Sequence, residues 1–322
     1  MRILDAVTPG VHIRGVGSDI QAGSVVVRSG TVLGPGHIGV LASVGCGSVM
    51  AHRRPRVGVM TTGDELVELD ESGVARDLLP GQIRDSNRHA LVAALRQDGY
   101  EAVDLGIVRD TPEAVESALQ QALGTCDALL TTGGVSMGEF DYVKVVLSRL
   151  AGPASGAGEA GGTGAGEAGG TGAGVEVLQV AIRPAKPLVL AWLPAGDGRV
   201  VPVFGLPGNP VSSLVSYRVI ALPALRVLGG HSATVPTSVR GVAGEDLRRR
   251  PDGKTHFVRV EACWRNDGRL VARSAGGQMS HQLSAMAGAN ALAVLRDGEG
   301  AAAGDDIDLL LIGEVGELSD TA

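Results

Sequence analysis

The chain has few aromatic side chains: two Trp, three Tyr and three Phe among 322 residues. A surface that binds single strands by stacking bases needs several such rings, so that class is excluded. Excess positive charge is lacking too. Twenty-eight Lys and Arg face 35 Asp and Glu, for a net charge of −7, which argues against a nucleic-acid partner gripped by a broad basic face. Cysteine is scarce. Cys46, Cys126 and Cys263 form no Cys-x-x-Cys pair, and no His cluster accompanies them, so no zinc site is expected. An odd, scattered count fits reduced, buried thiols in a cytoplasmic protein. No stretch approaches the roughly 20 apolar residues that a membrane helix needs. The opening MRILDAVTPG lacks a charged segment followed by an apolar one, so no signal peptide is expected.

What is abundant is small and aliphatic. Hydrophobic residues make up 44% and glycine supplies 49 positions, so the core must be built from Val, Leu, Ile and Ala. The length suffices for two or three domains. Residues 1–52, rich in Gly and Val, read as short strands with no clear helix.

From Arg53 the pattern alternates. RVGVMTTGDE reads as a buried strand entering a turn. RDSNRHALVAALRQDG has the helical period, with Asp85 or Ser86 to cap it and Gly99 behind it. EAVDLGIV is a strand. The next helix has Thr111 as cap and Pro112 in its first position. DALLTTGG is a strand and DYVKVVLSRL a helix. The alternation predicts an α/β fold, a parallel sheet with helices on both faces. A tandem repeat of Gly, Ala, Glu and Thr at 156–174 has nothing to bury and reads as a flexible insertion, within 151–174. Strands VEVLQVAI, PLVLAW and VVPVFG follow, then a helix capped by Asn209 with Pro210 first. After Gly230 only short strands appear, predicting a small C-terminal all-β domain. The domains expected are 1–52, 53–232 and 233–322.

In a parallel α/β sheet, ligands bind outside the carboxyl ends of the strands. TTGGVSMGEFDYVK, residues 131–144, falls there. Gly133 and Gly134 let backbone N–H groups approach a phosphate, and the helix that follows favours negative charge. The stretch matches neither the P-loop nor the Gly-x-Gly-x-x-Gly fingerprint. A tight turn with Asp141 as an ordinary N-cap explains it equally well. Three further segments tilt the balance. TTGDEL places Asp64 and Glu65 at a strand end, LPGNPVSS repeats the glycine turn and capped helix, and IRPAKP sets Arg183 and Lys186 between prolines. Acids and cations together suit a phosphate-bearing substrate with magnesium. Either cation alone would read as solvated surface charge.

TTGDEL, GQIRDSN, LGIVRDTPEA, TTGGVSMGEFDYVK, IRPAKP and GLPGNPVSS resemble, in order and spacing, the molybdopterin molybdenumtransferases, the MoeA type related to the gephyrin E domain. The resemblance runs from about Gly10 to the C-terminus. It implies the last step of molybdenum cofactor synthesis, in which adenylylated molybdopterin and molybdate react with Mg2+, AMP leaves, and the dithiolene binds molybdenum. It also implies a homodimer. Carried over by position, Gly133, Gly134, Ser136 and Gly138 match the pterin-phosphate loop, with Lys144 reaching phosphate. Asp64, Glu139 and Asp141 match acidic positions near metal and adenylate. Pro207, Gly208 and Asn209 match a second substrate loop, and Arg183 and Lys186 a cationic stretch linked to molybdate. Arg259 and Ser280 resemble further molybdate contacts. Asp141, Asp64 and Lys186 are the catalytic candidates. The sequence departs from the family at Arg183, where Lys is usual, and at its front, where an elongated region with a Ser-x-x-Asp-Gly-Tyr motif is lacking. Residues 1–52 then read as the end of a β-rich second domain in a truncated chain. A carrier that holds molybdopterin without turnover, and the related adenylyltransferase, stand as alternatives; IRPAKP and the C-terminal β domain favour the transferase.

Overall fold

A computed structural model describes residues 8–69, 77–134, 141–152 and 173–317. The chain divides into two units, residues 1–52 with 230–233 and residues 53–229 with 234–322.

Among its described residues the first unit does not hold the expected β remnant. Residues 8–52 contain no strand, and Pro35–Ser43 forms a helix, α1. Glycines at 10, 17, 23, 30 and 45 take positive φ, so turns interrupt each Val-containing run before it reaches strand length. Pro35 stands at the first helical position, where its fixed φ suits the helix. The Gly34 N–H donates to His37 Nδ1 at 3.0 Å. Leu41 is buried in this helix, whereas Ile38 and Val44 are exposed.

The second unit begins with β1 (Arg56–Thr62), α2 (Asn87–Gln97), β2 (Glu101–Val108), α3 (Pro112–Leu123), β3 (Ala128–Thr132) and α4 (Tyr142–Ala151). It continues through β4 (Gly174–Gln179), β5 (Pro187–Pro194), β6 (Val200–Leu206) and a long helix α5 (Pro210–Leu228). The sheet order is β2-β1-β3-β6-β5-β4. β2, β1, β3 and β6 are parallel, as expected. β5 runs antiparallel to both β6 and β4, so the sheet is mixed. Residues 195–199 join β5 to β6, and five residues can close a hairpin but not a parallel crossover.

Alternation along the strands feeds two cores. Met60, Leu129, Val201 and Val203 face α3 and α4, which contribute Val115, Leu119, Val143 and Leu147. Val57, Val59, Leu130 and Phe204 face the other way, against Leu91 and Leu95 of α2 and Tyr217, Leu222 and Leu225 of α5. α5 corrects one expectation. Its 19 residues, with a mean hydropathy of 1.4, are long and apolar enough to cross a membrane by length and composition. It serves as a core helix: Val211, Val215, Ala221 and Leu225 are buried, and Tyr217 and Arg218 both donate to Asp98.

The chain then forms β7 (Ser238–Ala243), β8 (Thr255–Trp264), β9 (Leu270–Ser274), α6 (Leu283–Ala287), β10 (Ala291–Leu295) and β11 (Asp306–Leu311). β9, β7, β11, β10 and β8 pair in that order, and β8 pairs with β9, which closes a barrel. Its interior holds Val260, Ala262, Leu270, Ala272, Ala293 and Leu309.

Strand register decides where the motifs lie. Thr61 pairs with Thr132, Thr132 with Leu206, Val189 with Gly205, and Gln179 with Pro187. The carboxyl ends of β1, β3 and β6 therefore line up with the β4–β5 turn, which carries IRPAKP.

Candidate active site

Three strand ends build the site. Thr62 leads into Gly63 and Asp64, Thr132 into Gly133 and Gly134, and Leu206 into Pro207, Gly208 and Asn209. At Gly133, φ is +88° and a Cβ would lie 2.4 Å from the Thr62 carbonyl oxygen. At Gly134, φ is +61° and a Cβ would meet Val143 Cγ2 at 2.6 Å. Both positions require glycine for conformation and for space. The Thr62 hydroxyl beside them is buried without a protein partner, a group that a bound ligand would satisfy.

Asn87, the first residue of α2, ties the loops together. Its Nδ2 donates to Thr132 Oγ1 at 2.8 Å and to the Gly208 carbonyl at 2.6 Å. Thr132 Oγ1 in turn donates to the Pro207 carbonyl at 3.2 Å. The Gly208 carbonyl can only accept, so the amide nitrogen must face it. Below this tie lies Arg88, buried and clamped. Its Nε donates to Asp85 at 2.9 Å, and its other nitrogens pair with Asp104 and Glu68. Asp85 also accepts from Thr61 Oγ1 at 2.6 Å.

The carboxylates gather at the same end. Asp64 and Glu65 are exposed. The N–H of Asp110, just past β2, donates to Asp64 Oδ1 at 3.3 Å, and Asp110 Oδ1 is buried without a partner. Burial, then the charges of Asp64, Glu65 and Asp141, push the Asp110 carboxyl above its usual range. Asp141 stands at the N-cap of α4, yet its side chain makes no capping bond. It accepts instead from Lys144 Nζ at 3.0 Å, so the ordinary-cap explanation does not describe it. Ser136, Gly138 and Glu139 lie outside the described residues.

Arg259 and Ser280 come together in the barrel. Arg259, on β8, is buried, and its Nη2 donates to the carbonyls of Gly277 at 2.7 Å and Met279 at 3.3 Å. Its Nε has no partner, and burial lowers its pKa. The Ser280 carbonyl accepts the Val211 N–H at 3.1 Å, which joins this loop to the start of α5 beside Asn209. IRPAKP meets the barrel elsewhere: Ile182 and Arg183 pair with Thr255 and His256, and Arg183 Nη1 donates to Asp252 at 2.7 Å. Lys186 is exposed on the same turn.

Sequence reading missed Asn87 and Asp110 as site residues. Both lie in stretches whose resemblance was evident, GQIRDSN and LGIVRDTPEA, and Asp110 lies just past β2 on the ligand side. That position was the signal available.

A mixed sheet with glycine loops and carboxylates at its carboxyl ends, joined to a closed barrel, defines an α/β ligand-binding protein. Comparisons with known proteins make the class specific. Residues 58–227 match the family described as a probable molybdopterin binding domain. Residues 240–312 match the MoeA C-terminal region, domain IV, and residues 1–45 the MoeA N-terminal region, domains I and II. The molybdopterin molybdenumtransferase of Nostoc sp. is 35% identical over 92% of this chain and 62% of its own length. That of Haemophilus influenzae is 32% identical over 91% of this chain and 64% of its own. Molybdopterin molybdenumtransferase 1 of Mycobacterium tuberculosis is 31% identical over 98% and 68%. Two solved molybdopterin biosynthesis MoeA proteins of Pyrococcus horikoshii share the fold, with TM-scores of 0.67 and 0.63 at 24% and 21% identity. They cover 92% of this chain, which covers 64% and 63% of theirs. The chain belongs to the molybdopterin molybdenumtransferase family. It spans under two thirds of the first two relatives' length.

Proposed function

We propose that the chain inserts molybdenum into molybdopterin: adenylylated molybdopterin and molybdate are its substrates, and AMP is released. The observation that carries this reading is the convergence of the motif segments at one end of the sheet, where Asn87 joins the second and third glycine loops. Gly133 and Gly134 offer backbone to the pterin phosphate, Pro207, Gly208 and Asn209 form the facing loop, and Lys144, paired with Asp141, lies within reach of phosphate. Molybdate is an anion and so is its co-substrate. Lys186 and the buried Arg259 offset the repulsion between them, with Ser280 beside Arg259.

The acids fit a divalent cation. Asp110 carries a buried, unpartnered oxygen; burial, and then the negative charges around it, raise its pKa, and a cation would relieve that excess of charge. Among the described residues no three His, Cys, Asp or Glu are grouped to hold a metal. Magnesium takes one or two carboxylates and completes its shell with substrate phosphates and water. One or two of Asp64, Asp141 and Glu139 would hold it. When bound it supplies polarisation of the phosphoryl oxygen. Asp141, held by Lys144, orients the water that hydrolyses the adenylate. The molecule works in the cytoplasm, as a homodimer.

AMP release from adenylylated molybdopterin, measured with magnesium and with or without molybdate, tests the reading. Molybdate-dependent release is expected. Tight binding of the pterin with no AMP formed would make the chain a carrier and overturn it.

A further inference from the structure

Arg183 is engaged with the protein itself. Its Nη1 donates to Asp252 Oδ2 at 2.7 Å. Asp252 sits in the turn before β8, where its other oxygen lies 2.9 Å from His256 Nε2 and accepts the Lys254 N–H at 3.3 Å. The backbone joins at the same place: Ile182 pairs with Thr255 and Arg183 with His256, and the Thr255 N–H donates to the Ala181 carbonyl at 2.9 Å. Within the turn, the Val180 N–H donates to the Lys186 carbonyl at 2.9 Å. Ala185 is buried with φ +88°, a conformation that a non-glycine residue keeps only when its surroundings impose it.

Lys186 makes no ion pair among the described residues. Three residues beyond His256, β8 carries Arg259. The pairing of the turn with the start of β8 therefore ties the Lys186-bearing segment to the strand that carries Arg259. Arg suits this holding task better than Lys, because its rigid fork loses less freedom per bond.

We propose that Arg183 and Asp252 form a strut that seats the Lys186-bearing turn on β8, so that Lys186 and Arg259 meet the oxyanion and Arg183 is a positioning residue. The inference rests on the proposed function for its oxyanion and on geometry alone for the strut. If Arg183 were instead a direct ligand, Asp252 would compete with molybdate for it, and removing Asp252 would tighten binding. The strut requires the reverse.

Molybdate binding by calorimetry and amide exchange of residues 180–187, both on the full chain, separate the two. Arg183→Gln and Asp252→Asn should each weaken molybdate binding roughly five- to tenfold and speed exchange across the turn. Arg183→Lys, which keeps a cation opposite Asp252, should hold binding to within about twofold. Unchanged or tighter binding by Asp252→Asn would overturn the strut. So would a loss of binding by Arg183→Lys as large as that by Arg183→Gln, in a chain with an unaltered melting temperature. If the unmodified chain binds no molybdate, the proposed function fails, and the strut is decided by exchange: no change in Asp252→Asn ends it.

Discussion

Two arginines, one at the α/β sheet and one in the barrel, are buried almost completely and held in opposite ways. Arg88, beneath the strand ends of the α/β sheet, is 3% exposed and Arg259, in the barrel, 1%. Burial alone would pull the Arg88 pKa down, but hydrogen bonds to Asp104, Asp85 and Glu68 outweigh it and hold the pKa above the ordinary value. For Arg259 burial acts unopposed. Its partners are carbonyls, and no carboxylate pairs with it among the described residues. A cation caged by acids is consumed by the structure. A desolvated cation without a counterion costs stability, and it is the arrangement expected where an anion is to be received.

The largest effect should come from Arg88→Met. Asp85 would be left buried without a counterion, at a cost of about 3–5 kcal/mol, seen as a lower urea midpoint. Arg259→Gln should do the opposite. Stability should hold or rise, because a desolvated charge is removed, while molybdate-dependent AMP release falls by roughly 10²–10³-fold, as when a single preorganised donor is lost. If Arg259→Gln unfolds the chain as Arg88→Met does, the contrast between them is broken.

The smallest effect sharpens the comparison from the acid side. The Asp110 carboxyl is raised, chiefly by burial and then by its acidic neighbours. A raised acid contributes stability below its ordinary value of 3.8 that is lost as pH rises through its folded value. Asp110→Asn should therefore raise the melting temperature at pH 7, and the gain should vanish in acid. Magnesium should raise the wild-type melting temperature more than that of the variant. Equal responses in both would remove Asp110 from the cation's surroundings.

The helices were legible where local chemistry writes them. Thr111 accepts the Ala114 N–H at 3.3 Å, Pro112 begins α3, and Gly99 follows α2, as cap and period implied. For α2 the rule held with a twist: Ser86 stands at the cap without capping, and Asp85 accepts the Arg88 N–H at 3.2 Å. α1 was illegible because two glycines lie within it and one face buries only Leu41, so neither propensity nor periodicity marks it. The direction of β5 was written in the five residues before β6 and was overlooked. Asn87 and Asp110 could be reached only by their place in the motifs, since their partners are distant along the chain, 45 and 121 residues away for Asn87 and 46 for Asp110.

The glycine at 133 has a consequence for how this protein can change over generations. Most tight positions in a core can be relieved by shrinking the neighbour, so a harmful substitution can be rescued by a second one nearby. Here the neighbour is the carbonyl oxygen of Thr62, which every residue type brings with it. No exchange at position 62 makes room, and the site at 133 has no compensating partner in the genetic alphabet.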